Sequence, residues 1–173
     1  MSRTSTKQAL HGVQGKLEVG ESGGLAAGLS GGGVVNFCVR HPTGKIAASA
    51  FTASQLIGVI QAGLPVQELK DLQASLAVPM DQLVPMLGIS KATLHRRIAG
   101  GRLGPAESGR VVRFARLMGK AVEVMESEKD ARRWLTSPQF GLGGAVPLEY
   151  AETEVGAREV EDLLGRIEFG VYS

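Results

Sequence analysis

A single cysteine, Cys38, among 173 residues excludes any disulfide within the chain and fits a reducing compartment. A lone thiol can act as a catalytic nucleophile, but it more commonly packs as a small apolar group. Aromatic residues make up only 5% of the chain, which argues against a large aromatic-lined substrate pocket. No apolar run approaches the roughly 20 residues that a membrane span requires. The opening Met1–Gln8 has no apolar stretch behind it of the kind a secretory signal carries. These absences point to a cytoplasmic protein with no membrane partner. His11, His41, His95 and Cys38 show no metal-ligand spacing, so neither a metal nor another cofactor is expected.

What the chain does contain is 43% hydrophobic residues, enough for a core, and a length suited to one ordinary domain or two small ones. Charge is distributed unevenly. From Gly88 to Lys120 there are eight basic side chains and one acidic, whereas Ala121 to Ser173 holds eleven acidic and five basic. A basic segment followed by an acidic one suggests two surfaces with different partners. Ten of the 24 glycines lie in residues 1–50, a composition that resists helix and favours a partly flexible segment. Within it Val34–Val39 reads as a short strand bounded by Gly33 and His41-Pro42.

From Thr52 the periodicity turns helical. Thr52 or Ser54 can cap a helix ending at Gln61 or Ala62, with Gly63 as its stop. Pro65 opens a second helix carrying Val66, Leu69, Leu72 and Leu76 at spacings of three and four. Asp81 is a candidate cap for a short helix through Leu87, with Pro85 inside its early part. A turn at Gly88-Ile89-Ser90 leads into a helix that runs to about Ala99 and stops at Gly100-Gly101. Pro105 starts a longer helix through Met125. Ser127, with Asp130 three residues on, caps another through Trp134 and Leu135. Phe140 to Tyr150 reads as a Gly/Pro-containing loop. Thr153 begins a last helix with Val160, Leu163, Leu164 and Ile167 on one face.

The pieces from Asp81 to Ala99 are those of a helix-turn-helix. Leu83, Leu87, Ile89, Leu94 and Ile98 are expected to face inward. The second helix then offers Ser90, Lys91, Thr93, His95, Arg96 and Arg97, with Arg102 beyond it. Small polar groups and cations of this kind serve base edges and phosphates. A helical hairpin with a merely solvated basic face is the alternative. Gly28-Leu29-Ser30-Gly31-Gly32 fits the pattern of a nucleophile elbow, but no strand precedes it and no helix follows. Gly44-Lys45 is no phosphate loop, because Ile46 and Val39 stand where the hydroxyl and the first glycine are needed. No catalytic residue is assigned. The final residues, Glu168 to Ser173, place Phe169, Val171 and Tyr172 directly behind an amphipathic helix. Such a tail either enters a concave site on a partner or folds back on the core, and the residues alone leave both open.

From about Met80 onward the chain resembles the Xre/MbcA/ParS antitoxins, in particular those paired with RES-domain toxins. The resemblance is carried by Leu87-Gly88-Ile89-Ser90-Lys91-Ala92-Thr93-Leu94-His95-Arg96-Arg97, by Glu107-Ser108 and by Arg113-Phe114-Ala115-Arg116-Leu117. It continues through Ala131-Arg132-Arg133-Trp134-Leu135, Gly143-Gly144, Pro147-Leu148 and Thr153-Glu154-Val155-Gly156. It ends in Leu163-Leu164-Gly165-Arg166-Ile167-Glu168-Phe169-Gly170-Val171-Tyr172-Ser173. It implies an antitoxin that forms a homodimer, binds its own operator DNA and covers the active site of an NAD-consuming RES toxin. By position it gives the toxin-binding role to Arg166, Glu168, Phe169, Gly170, Val171, Tyr172 and Ser173.

The expected fold is mainly α: a helical bundle with a helix-turn-helix plus a small helical C-terminal toxin-binding domain. The expected units are a Gly-rich segment over 1–50, a DNA-binding domain over 51–120 and a toxin-binding domain over 121–173. The expected function is a non-enzymatic antitoxin with no small-molecule substrate. The alternative is a stand-alone helix-turn-helix repressor without a toxin.

Overall fold

The computed structural model describes residues 33–40 and 52–171. The helices are α1 (Val34–Arg40), α2 (Ala53–Ala62), α3 (Val66–Leu76), α4 (Met80–Met86), α5 (Lys91–Gly100), α6 (Pro105–Met125), α7 (Glu128–Leu135), α8 (Pro147–Tyr150) and α9 (Glu154–Glu168). A short 3-10 turn, Phe140–Leu142, lies between α7 and α8. There is no β-strand among the described residues, in keeping with the expected mainly α class.

Four of these helices begin where a hydroxyl can accept the orphan N–H of the first turn. Thr52, Ser90, Ser127 and Thr153 accept from the backbone N–H of Gln55, Thr93, Asp130 and Gly156. α2 ends at Gly63, whose φ of 83° favours glycine. α6 is the centre of the core. Val111, Val112, Phe114, Ala115, Leu117, Met118 and Ala121 are all buried along it, and α1, α2, α3, α7 and α9 pack against it. A continuous apolar cluster extends from Val34 to Leu164.

Several expectations need correction. Val34–Val39 belongs to a helix rather than a strand. The β-branched residues favour strand locally, but the Glu68 carboxylate accepts the N–H groups of Val34 and Val35, both at 2.8 Å. Val34, Val35 and Cys38 are thereby buried on one face. Tertiary capping and burial outweigh propensity here. Asp81 is not a cap. α4 starts two residues earlier, with Pro79 as the capping position, whose carbonyl accepts from Gln82 and Leu83. Asp81 sits in the first turn, where its charge suits the helix dipole. Pro85 is inside α4 and denies the Asp81 carbonyl its usual partner. Burial of Leu83, Val84 and Leu87 compensates. Ile98 is not turned inward: it is 55% exposed. The expected loop over 140–150 contains the 3-10 turn and α8, where Pro147 opens the helix and Leu148 anchors it in the core.

The readings on Gly28–Gly32, His11, His41-Pro42, Gly44-Lys45, the flexible N-terminal segment, Tyr172 and Ser173 lie outside the described residues. Among those described, no helix is long and apolar enough to cross a membrane. No group of three or more His, Cys, Asp or Glu residues there could hold a metal ion.

Candidate functional site

α4, the turn at Gly88 and α5 form the helix-turn-helix unit. The turn is built from two backbone bonds, Ile89 N–H to Val84 O at 3.0 Å and Gly88 N–H to Pro85 O at 2.7 Å. This is the Schellman pattern, with Gly88 at φ 61° in the left-handed position. The Arg110 guanidinium donates to the Leu87 carbonyl at 2.9 Å. Arg110 on α6 therefore straps the turn from below.

α5 buries no residue. Leu94, half-buried against the core, is its apolar anchor. Its second anchor is ionic: Arg97 donates to both Glu107 oxygens, at 2.7 and 3.1 Å. The buried Glu107 also accepts the Gly104 N–H. Burial pushes the Glu107 carboxyl upward, but the bonds from Arg97 and Gly104 and the Arg97 charge outweigh it and hold the group below its usual range. Arg102 donates to the Gly63 carbonyl at 2.6 Å. It thereby ties the residues after α5 to the end of α2.

The expected DNA-binding residues thus divide. Arg97 and Arg102 are engaged in holding the fold. The Ser90 and Thr93 hydroxyls meet at 3.0 Å in the α5 cap. Lys91, His95 and Arg96 are exposed; among the described residues none of their side chains makes a hydrogen bond or ion pair, though the Arg96 charge reaches Glu107.

The rest of the basic stretch is turned toward the acidic one. Arg113 pairs with Glu154 at 2.7 Å, Arg116 approaches Glu161 at 3.9 Å, and Lys120 pairs with Glu168 at 2.5 Å. The pairs advance together along both helices, so α6 and α9 run parallel. Burial lowers the affinity of Lys120 for its proton, but Glu168 and Glu123 more than offset this and raise its pKa. Much of the charge asymmetry in the sequence is therefore neutralised between two helices of the same chain. An open groove of about 760 Å³ lies between α2, α6 and α9. Arg113, Arg116, Glu154 and Glu161 on its walls are already paired, leaving few free polar groups for a small ligand.

α9 also ends in a Schellman turn. Val171 N–H bonds to Arg166 O at 2.9 Å and Gly170 N–H to Ile167 O at 3.1 Å, with Gly170 at φ 67°. The turn sends Phe169 and Val171 into solvent, 78% and 53% exposed, instead of folding them back. Arg166 has its Nε buried with no hydrogen-bond partner among the described residues. Cys38 is buried, and desolvation raises its thiol pKa to about 11, which leaves little thiolate near neutrality.

Sequence reasoning missed Glu68, Glu107 and Phe140. Gly104 followed by Pro105, with Glu107 three residues after the glycine, was a capping signal for Glu107. Nothing local marks Glu68 as the cap of a helix more than 30 residues away.

The antitoxin Xre-like helix-turn-helix domain matches residues 55–116, and the antitoxin Xre/MbcA/ParS C-terminal toxin-binding domain matches residues 120–170. An "Antitoxin Xre" of Yersinia enterocolitica serotype O:8 / biotype 1B is 36% identical over 131 residues, covering 75% of this chain and 88% of that protein. An "Antitoxin Xre" of Photorhabdus laumondii is 35% identical over 120 residues, covering 68% and 81%. A "Prs ADP-ribosylating antitoxin" of Sphingobium sp. strain YBL2 is 30% identical over 127 residues, covering 68% and 80%. With the helix-turn-helix on α4 and α5 and the toxin-binding match running from the end of α6 through α7, α8 and α9, this chain belongs to the Xre/MbcA/ParS family of antitoxins, and its partner is a toxin.

Proposed function

We propose that this antitoxin neutralises a RES-type, NAD-consuming toxin by laying its C-terminal segment across the toxin's active site. Arg166, Glu168, Phe169, Gly170, Val171, Tyr172 and Ser173 form that segment. The observation that carries the reading is the Gly170 turn, which directs Phe169 and Val171 away from the core. The name of the Sphingobium relative couples an antitoxin to ADP-ribosylation, a reaction that consumes NAD. That supports an NAD pocket as the target. The chain is itself no enzyme in this reading: its relatives carry antitoxin names, and the buried Cys38 is unsuited to attack.

The second half of the proposal is repression of the antitoxin's own operon by a homodimer. Residues 51–120 would carry DNA binding and residues 121–173 toxin binding. Lys91, His95 and Arg96 meet the DNA, with Ser90 and Thr93 at the helix start. Arg97 and Arg102 hold α5 at its angle. Two recognition helices about 34 Å apart suit a palindromic operator. The match of residues 120–170 to a toxin-binding domain weighs against a stand-alone repressor.

The test expresses the neighbouring reading frame, with the full-length antitoxin or with a version ending at Glu168. The shorter chain keeps the Lys120–Glu168 pair. Rescue of growth and NAD content by the full chain alone is the expected result. Equal rescue by both versions would remove the tail from the mechanism.

A further inference from the structure

Phe140 is completely exposed, at 100%. A free phenylalanine side chain in water forgoes the stabilisation that burial of its ring would bring. Its surroundings are not those of a floppy loop. The Gln139 N–H donates to Ala145 O at 3.0 Å, the Gly144 N–H returns to Gln139 O at 3.0 Å, and the Gly143 N–H bonds to Phe140 O at 3.0 Å. The Gln139 amide donates to the carbonyls of Trp134 and Ser137, at 2.9 and 3.0 Å. Leu142, two positions on, is buried. The backbone that carries Phe140 is thus closed by hydrogen bonds on both sides and pinned to the core.

The turn rests against α9. A Cβ added at Gly141 would lie 2.6 Å from a methyl of Leu163, so a side chain here would have to displace that methyl. Leu163, Arg166 and Ile167 follow one another at i, i+3 and i+4 and share a flank of α9, which the Gly170 turn closes. Phe140 stands at one end of this flank, and the tail leaves from the other. Arg166, with its unpartnered Nε, lies between them.

We propose that Phe140 is an anchor of the toxin interface. Its ring fills an apolar pocket on the toxin that is separate from the site the tail enters. An acidic or carbonyl group on the toxin would meet Arg166 between the two. The occupant is the toxin because Phe140 and the whole flank fall within residues 120–170, the toxin-binding match. A rigidly presented aromatic ring is the residue type that carries binding energy in interfaces, at little ordering cost. The inference rests on the toxin-binding reading and deepens it: the antitoxin grips its partner at two points, of which only the tail blocks chemistry.

The experiment measures, by calorimetric titration, the affinity of the full-length antitoxin, Phe140→Ala and Phe140→Lys for a purified RES-domain toxin taken from the neighbouring reading frame. Melting curves of the free antitoxins are recorded alongside. Phe140→Ala is expected to weaken binding by about 10- to 100-fold, and Phe140→Lys by more. The melting temperature should stay within about 2 °C, since the free protein buries none of this ring. Saturating Phe140→Ala should still inhibit the toxin fully, because the tail is intact. Unchanged affinity of both variants, with the wild-type chain binding, overturns the anchor alone. No binding by the wild-type chain overturns the toxin reading and the anchor with it. A change in the self-association of the free protein, with toxin affinity intact, assigns the ring to a second copy of the chain and also overturns the proposal.

Discussion

Arg96 and Arg97 are consecutive in sequence and have different surroundings. Arg97 forks onto Glu107, whereas Arg96 reaches into solvent. Arg96→Ala should therefore leave the melting temperature unchanged and lower affinity for the antitoxin's own promoter DNA. The slope of log affinity against log salt should fall by about 1, as for one lost phosphate contact. Arg97→Ala should do the reverse. It should cost about 1 kcal/mol of stability, a value discounted because the guanidinium is about a third exposed (32%), and it should weaken DNA binding by misplacing α5. A thermal melt and a salt titration on each variant separate the two roles. Glu107 adds a pH signature. Its folded pKa lies below the ordinary value of 4.5. Its contribution is therefore complete above pH 4.5 and is lost as pH falls through the folded value. Acid titration of stability should show this loss, and Glu107→Gln should remove it.

At the scale of elements, α1 and the Gly88 turn show where local signals suffice and where they do not. The Gly88 turn was legible, because a glycine between two apolar periodic runs signals a helix stop. Gly88→Ala should cost more than about 1 kcal/mol in denaturant unfolding. It forces a side chain to φ 61° and brings its Cβ within 2.9 Å of Arg110. α1 was not legible. Its cap comes from Glu68 on α3, which no window around Val34 contains. Glu68→Ala should cost about 1–3 kcal/mol by leaving the Val34 and Val35 N–H groups unsatisfied. Hydrogen exchange over Val34–Arg40 should accelerate more than over α6, whereas an equal change in both would deny α1 a separate cap. Ile98 shows a third case. Its position in the pattern matched the inward face, but α5 stands off the core on Leu94 and an ion pair. The period of a helix tells which residues share a face, not how closely that face is packed.

Across the whole molecule, net charge conceals an internal arrangement. The basic α6 and the acidic α9 lie side by side, with Arg113, Arg116 and Lys120 opposite Glu154, Glu161 and Glu168. The compositional asymmetry was visible in the sequence, but its meaning was not, because partner surfaces and partner helices look alike in one dimension. Exchanging all three glutamates for glutamine should lower stability by only about 1–2 kcal/mol, since such exposed pairs are individually weak. It should also leave more positive charge uncompensated, although Arg113 keeps the Glu152 carbonyl and Lys120 keeps Glu123. Retention on non-specific DNA at low salt is expected to rise, and unchanged retention would mean that the arginines reach solvent already.

The 21-residue α6 runs from the segment matched to the helix-turn-helix domain into the segment matched to toxin binding. Its buried face serves the packing of both. An opening that unravels α6 takes the support from both surfaces together and exposes both to proteolysis. A protease that captures the opened chain removes both surfaces at once. Through that opening, whatever each surface holds is released on the same clock.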